Sequence, residues 1–211
     1  MEKCVIFCAA EFDGLLRPLE EQDFVIAADG GLAHTQALGI IPDAVLGDFD
    51  SLGYTPEGAH VFPVEKDDTD AMLAVRLGLE KGFREFWFYG AMDGPRLDHT
   101  VANFQALAFL RSHGAYGYLM GKSYIATVIS KEILIFSEHT QGILSLFALG
   151  GPARTHLAGL QYPLDGALLP DVPLGVSNHF TGRQAVVEIG DGLVLALWDR
   201  TEGLPRRAEM Q

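Results

Sequence analysis

The chain has 211 residues, 48% of them hydrophobic, and a formal net charge of −13. This length is enough for one large or two small globular domains, and the apolar content excludes an intrinsically disordered chain. The negative charge argues against sequence-independent binding of nucleic acid and against adhesion to an anionic membrane, because both need clustered Lys and Arg. It is compatible with phosphate binding where a divalent cation lies between carboxylates and phosphates.

The first residues, MEKCVIFCAAEFDG, contain an apolar run that is too short for a signal peptide. No later stretch has the length of a membrane span. Cys4 and Cys8 fall on one face of a predicted strand, too far apart for a disulfide. We therefore expect buried thiols in a reducing compartment and a cytoplasmic protein.

Short apolar runs alternate with segments of helical composition over residues 1–122. The predicted strands are 4–10, 24–29, 44–48 and 85–91, and the predicted helices are 30–40, 70–82 and 99–114. This alternation predicts an α/β layer with a mostly parallel sheet, in which ligands bind at the carboxyl ends of the strands. AADGG, LGDFDS and YGAMDG follow predicted strands, so a site is expected there.

From residue 123 to 211 the pattern changes to strands without long helices. The strand-like runs are SYIATVI, EILIF, ILSLFAL, AVVEI and LVLALW. They predict a small antiparallel β-sandwich or barrel. The polar tail RTEGLPRRAEMQ is expected to be frayed.

Acidic residues cluster at two of the predicted strand and helix ends. Asp48 and Asp50 alternate along GDFDS, so both carboxylates can point to one side, and Asp70 begins a helix after DDT. Each cluster alone is also explained by an ordinary turn or by helix capping. Taken together, they favour a Mg²⁺ and phosphate site, because Mg²⁺ is usually held by one or two carboxylates plus substrate phosphates.

The segment DGPRLDH has a cation beside the same predicted edge. Arg96 offers a fork of donors that suits phosphate oxygens, whereas Asp98 is also a candidate helix N-cap. His99 alone is more often a structural or surface histidine than a catalytic one. GYLMGKS, residues 117–123, is one residue too short between its glycines for a Walker A loop, and a loop between strands is the better interpretation.

Six segments in chain order resemble the thiamine pyrophosphokinase family. They are ADGG (28–31), PDAVLGDFDS (42–51), DDTDAMLAV (67–75), GAMDGPRLDHTVAN (90–103), GLQYPL (159–164) and GVSNHF (175–180). The resemblance implies transfer of a pyrophosphoryl group from ATP to the hydroxyl of thiamine, with release of AMP. It also implies an α/β ATP-binding catalytic domain over 1–122, a β-sandwich thiamine-binding and dimerisation domain over 123–211, and a homodimer.

The resemblance also assigns roles to particular residues. It implies Asp48, Asp50 and Asp70 as Mg²⁺ and phosphate-site carboxylates, and Asp70, Arg96 and Asp98 as catalytic residues. Asp29, Gly30 and Thr69 belong to the nucleotide cradle, and Tyr162, Ser177 and Asn178 to a thiamine pocket at the dimer interface. The chain departs from the family's pattern where Pro95 replaces a glycine, and at His156 and His179.

Other functions share parts of this pattern. A pyrophosphokinase for another alcohol, such as a hydroxymethylpterin, would keep the fold and change the acceptor. A non-catalytic nucleotide or thiamine sensor would bind without turnover, and a metal-dependent phosphohydrolase would consume ATP without an acceptor.

Overall fold

The computed structural model describes residues 2–47, 60–61, 68–200 and 203–210. Asp48 and Asp50, which the sequence proposes as metal ligands, lie outside the described residues. The chain divides into two compact units, residues 1–122 and residues 123–211. We call them the first unit and the second unit.

The first unit is built on parallel strands with three helices. The strands are β1 (Cys4–Phe7), β2 (Phe24–Ala28), β3 (Ala44–Gly47), β4 (His60–Val61), β5 (Glu85–Tyr89) and β6 (Tyr116–Met120). The helices are α1 (Gly31–Ala37), α2 (Asp70–Glu80) and α3 (Leu97–Ser112). Neighbouring strands pair in the order β6-β5-β1-β2-β3-β4, and every pair is parallel.

The central strand β1 explains why these runs are so apolar. All four of its residues are buried, because both faces of a parallel sheet are covered. Cys4 and Cys8 are buried free thiols, as the sequence predicts. Strands β4 and β6 were not predicted, since β4 has two residues and β6 begins with Tyr-Gly-Tyr.

The second unit contains two antiparallel sheets. Its strands are β7 (Tyr124–Ile129), β8 (Glu132–Phe136), β9 (Ile143–Ala148), β10 (Ala153–Ala158), β11 (Leu164–Leu168), β12 (Asn178–His179), β13 (Ala185–Ile189), β14 (Val194–Asp199) and β15 (Arg206–Glu209). One sheet has the order β12-β9-β14-β7 and the other has the order β11-β10-β13-β8-β15. The helices and parallel strands of the first unit, with the antiparallel strands of the second, confirm the predicted α/β class.

The prediction of a frayed tail is wrong for residues 206–209. This segment forms β15, which pairs with β8, and Arg207 donates hydrogen bonds to Glu132 and Thr127. A polar segment can form a strand when its charged side chain finds a partner across the sheet. Strand β10 was missed for a related reason, since two of its three buried side chains, Ala153 and Thr155, are small or polar.

Within the described residues, every helix falls short of the length and apolarity that crossing a bilayer requires.

Candidate active site

A cavity of about 350 Å³ lies at the carboxyl edge of the first unit's sheet. Its walls come from the carboxyl end of β2, from the residues after β1, β2 and β5, from the start of α2, and from the first two turns of α3 with the segment before it. Four of the predicted site residues line it together: Asp29, Thr69, Asp70 and Arg96. They come from three separate segments of the chain, and the parallel sheet brings them together where such folds usually bind ligands.

Asp29 and Gly30 form the turn between β2 and α1. Asp29 has a left-handed backbone with φ of 46°, and its N–H donates to the carbonyl of Leu46 at 2.7 Å. Gly30 does not line the cavity but packs against Ala9, which does; a Cβ at position 30 would lie 2.8 Å from the Ala9 Cβ. The turn therefore needs glycine here for a close approach of two chain segments.

Thr69 and Asp70 begin α2. The Thr69 hydroxyl caps the helix by accepting from the Met72 N–H at 3.2 Å, and Asp70 is the acidic residue of the first turn. Burial, together with the smaller effect of the Asp70 charge, raises the pKa of the Cys8 thiol to about 12. Cys8 therefore remains protonated. Cys8 and Asp70 both line the cavity.

Arg96 and Asp98 form an ion pair at the start of α3. Arg96 Nη2 donates to Asp98 Oδ2 at 2.6 Å, and both side chains are about two-thirds exposed. The hydrogen bond from Arg96 lowers the pKa of the Asp98 carboxyl. Asp98 does not line the cavity, and α3 begins at Leu97 with Arg96 as its N-cap, so the alternative interpretation of Asp98 as N-cap is wrong.

Three further residues of α3 line the cavity: His99, Thr100 and Asn103. Asn103 is buried, and its side-chain amide donates to the Ala91 carbonyl at 2.7 Å, which ties α3 to the end of β5. The sequence favours a structural or surface role for His99 and does not single out Thr100 or Asn103. The spacing 96, 99, 100, 103 was the available signal, because residues three, four and seven apart share one face of a helix.

In the part of the chain that the structure describes, no three His, Cys, Asp or Glu residues are close enough to hold a metal ion. The described carboxylates that line the cavity are Asp29 and Asp70. Mg²⁺ usually needs one or two carboxylates, with water and substrate phosphates supplying the other oxygens. The hard oxygen donors of this wall therefore fit Mg²⁺ bound together with a nucleotide.

Tyr162, Ser177 and Asn178 lie together in the second unit. The Asn178 amide oxygen accepts from the N–H of Tyr162 at 2.9 Å, and its NH₂ donates to the Tyr162 carbonyl at 2.7 Å. Asn178 is buried, whereas Tyr162 is 59% exposed. Asn178 thus holds the backbone of Tyr162, and the tyrosine ring is left open to solvent.

Ser177 has a left-handed backbone with φ of 59°, and its N–H donates to the Ser145 hydroxyl at 3.1 Å. His156 and His179 are both exposed. His156 lines a different concave surface of the second unit, together with Arg154 and Asp165.

Two family descriptions match the chain. "Thiamin pyrophosphokinase, catalytic domain" matches residues 15–116, and "Thiamin pyrophosphokinase, vitamin B1 binding domain" matches residues 131–194. The thiamine pyrophosphokinase of Bacillus subtilis (strain 168) is 34% identical over 189 residues, which cover 84% of this chain and 88% of that protein.

Solved structures share the fold. The crystal structure of thiamine pyrophosphokinase from Bacillus subtilis superposes with a TM-score of 0.79 and 22% identity, covering 94% of this chain and 99% of that one. The enzyme from Geobacillus thermodenitrificans gives a TM-score of 0.75 and 20% identity, covering 97% and 100%. Yeast thiamin pyrophosphokinase gives 0.70 and 13%, covering 94% and 86%. With the two matched domains and the 34% identical relative, these findings show that the chain belongs to the thiamine pyrophosphokinase family.

Proposed function

We propose that this chain transfers the pyrophosphoryl group of ATP to the hydroxyl of thiamine at the carboxyl edge of the first unit, in a Mg²⁺-dependent reaction. The observation that supports this placement is the convergence of Asp29, Thr69, Asp70 and Arg96 on one cavity. Attack of an alcohol on phosphorus needs positioning and charge neutralisation, and little covalent chemistry from the protein. A wall of fixed carboxylates, helix starts and one guanidinium meets that need.

Each side chain has a distinct part. Asp29 and Gly30 shape the nucleotide cradle, with Thr69 and the start of α2 beside them. Arg96 presents parallel N–H donors to phosphate oxygens, for which it exchanges its present partner, Asp98. Asp98 is then released beside the phosphates, where it or another carboxylate accepts the proton of the attacking hydroxyl.

Asp70, Asp48 and Asp50 are proposed to hold Mg²⁺. When bound, the ion neutralises phosphate charge and aligns the triphosphate. Thr69 caps α2 and so stabilises its first turn, which contains Asp70. Asp48 and Asp50 follow β3 in sequence, and they enter this set from their spacing in the sequence and from the family resemblance.

Thiamine is proposed to bind in the second unit against Tyr162, with Ser177 and Asn178 nearby, at the interface of a homodimer. We also propose that the two sheets of this unit pack as a sandwich, which the contact between Phe136 of β8 and Trp198 of β14 at 5.4 Å supports. The segment 169–176 favours the dimer, because it exposes four large apolar side chains: Leu169, Val172, Leu174 and Val176.

The division of the chain near residue 122 supports separate ATP and thiamine domains over 1–122 and 123–211. Buried free thiols are typical of a reducing compartment, and we place the protein in the cytoplasm.

Product analysis tests the reaction. The purified chain, given ATP, Mg²⁺ and thiamine, is expected to form AMP and thiamine diphosphate in equal amounts, and to form neither without Mg²⁺. Omission of thiamine should stop AMP formation. ATP consumption without an acceptor would indicate a phosphohydrolase, binding without turnover would indicate a sensor, and AMP formation with a hydroxymethylpterin alone would indicate a different acceptor.

Tyr162→Ala tests the thiamine site. We expect the KM for thiamine to rise by about 2- to 30-fold, because a stacked cationic ring gains about 0.5–2 kcal/mol from an aromatic face. The KM for ATP should stay within about twofold, since ATP is bound in the other unit. Tyr162→Phe is the matched control: it keeps the aromatic face and removes the hydroxyl that accepts from Gln161. Equal effects of Tyr162→Ala on both substrates would argue against this site.

A further inference from the structure

Asp93 has a backbone conformation that most residues avoid. It follows β5 by four residues, and its φ of 63° lies in the left-handed region. In the described part of the chain the non-glycine residues with positive φ are Asp29, Asp93, Lys131 and Ser177. Such a conformation persists where the surrounding structure holds it, and aspartate tolerates it better than most residues.

The Asp93 side chain joins two loops that are distant in sequence. Its Oδ2 accepts at 2.7 Å from the backbone N–H of Lys122, which lies two residues after β6. The Lys122 side chain in turn binds the carboxylate of Glu11, which follows β1. The ends of β1, β5 and β6 are therefore tied together through Lys122.

The same loops form a wall of the candidate active site. Ala10, next to Glu11, and Gly94, next to Asp93, both line the cavity. The two loops are in close contact. The Ala10 N–H donates to the Gly90 carbonyl at 2.9 Å, and a Cβ at position 94 would lie 3.0 Å from the Ala10 Cβ. Asp93 itself does not line the cavity, so any effect that it has on a bound ligand passes through the neighbouring residues that do line it.

We propose that Asp93 is a positioning residue for Arg96: its left-handed backbone and its hydrogen bond to the Lys122 N–H set the course of the Gly94-Pro95-Arg96 segment, and so the place of the Arg96 guanidinium at the nucleotide phosphates. Arg96 needs such help, because its side chain is about two-thirds exposed and, among the residues that the structure describes, its ion pair is with the equally exposed Asp98. This inference rests on the proposed function. It adds a residue that does not itself contact ATP.

Three substitutions distinguish the role of the Asp93 side chain from the role of its backbone conformation. Asp93→Gly permits the same φ and removes the acceptor, Asp93→Asn keeps an acceptor and tolerates the left-handed region, and Asp93→Ala loses both. We expect kcat/KM for ATP to fall by about 10- to 100-fold in Asp93→Gly and at least as far in Asp93→Ala, since small displacements of a phosphate-binding group are costly. Asp93→Asn should stay within about threefold of the wild type, because the acceptor is retained.

A matched control and a double-mutant cycle exclude a merely structural effect. Lys131→Gly makes the same kind of change at a left-handed residue of the second unit (φ of 52°) and should leave the kinetics unchanged. In an Arg96→Ala background, Asp93→Gly should reduce kcat/KM for ATP by less than about twofold further, because residues that act through one group are not additive.

Several results would overturn the inference. They are wild-type kinetics in Asp93→Gly, a tenfold loss in Asp93→Asn, or a loss that adds fully to that of Arg96→Ala. If Asp93→Gly does not fold, Asp93→Ala is compared with Asp93→Asn. A large loss of kcat/KM in Asp93→Ala alone supports the inference, and equal values in the two variants contradict it. An inactive wild type would contradict the proposed function, whereas an active wild type with an equally active Asp93→Gly would contradict only the role of Asp93.

Discussion

Asp70→Asn is expected to lower kcat for pyrophosphoryl transfer by at least about 100-fold, because it removes the charge that helps to fix Mg²⁺ and the phosphates. The fold should survive. The Thr69 cap remains, and the lost interaction of Asp70 with the helix dipole is about 0.3–1 kcal/mol. AMP formation, measured over a range of Mg²⁺ concentrations, and a thermal melt of the same sample check both parts.

The matched control is Asp68→Asn, two residues earlier in the chain. Asp68 pairs with Arg76 at 2.7 Å and does not line the cavity, so this variant should keep near-normal turnover. Near-wild-type activity in Asp70→Asn, or equal losses in both variants, would contradict the role of Asp70. The same substitution at Asp48 and at Asp50 tests the two ligands that come from the sequence alone.

Arg96→Lys is expected to reduce kcat/KM for ATP by about 10- to 100-fold although the charge is kept, because an ammonium cannot present two parallel donors to phosphate oxygens. The exposed pair with Asp98 contributes little to folding, so the melting temperature should change by no more than a few degrees. Steady-state kinetics with ATP as the varied substrate give the measurement.

Arg76→Lys is the control for this substitution. Arg76 makes a similar two-donor contact with a carboxylate, Asp68, through Nε and Nη2, but it does not line the cavity. It should therefore retain its kinetics. Equal activity of the two lysine variants and the wild type would show that Arg96 contributes no directed hydrogen bonds to the phosphates.

Local sequence rules predict much of the first unit. The apolar runs 24–29 and 85–91 contain β2 and β5, and the predicted helix 70–82 is observed as Asp70–Glu80. Thr69, a candidate N-cap from the sequence, does cap this helix. These features depend on residues within a few positions of one another, so composition and spacing are enough to reveal them.

The second unit shows where such rules are insufficient. Strand β10 places Ala153, Thr155 and Leu157 inward, and β15 consists of Arg-Arg-Ala-Glu. Neither has the apolar alternation that a strand prediction relies on. Both form because a neighbouring strand supplies the backbone partners, and β15 is held in addition by the Arg207–Glu132 pair.

Taken alone, the sequence determines the α/β class and the placement of acidic residues and glycines at strand ends, because periodicity and capping act over short stretches. The tertiary structure decided which side chains share a wall. It brings His99 and Asn103 to the cavity beside Arg96, and it joins Asp93 to Lys122 across 29 residues. It also buries Lys3 against Asp23, a pairing that Lys3's position in the sequence does not indicate. Contacts of this kind depend on strand order, register and the need of a buried charge for a partner, and residues distant in sequence settle all three.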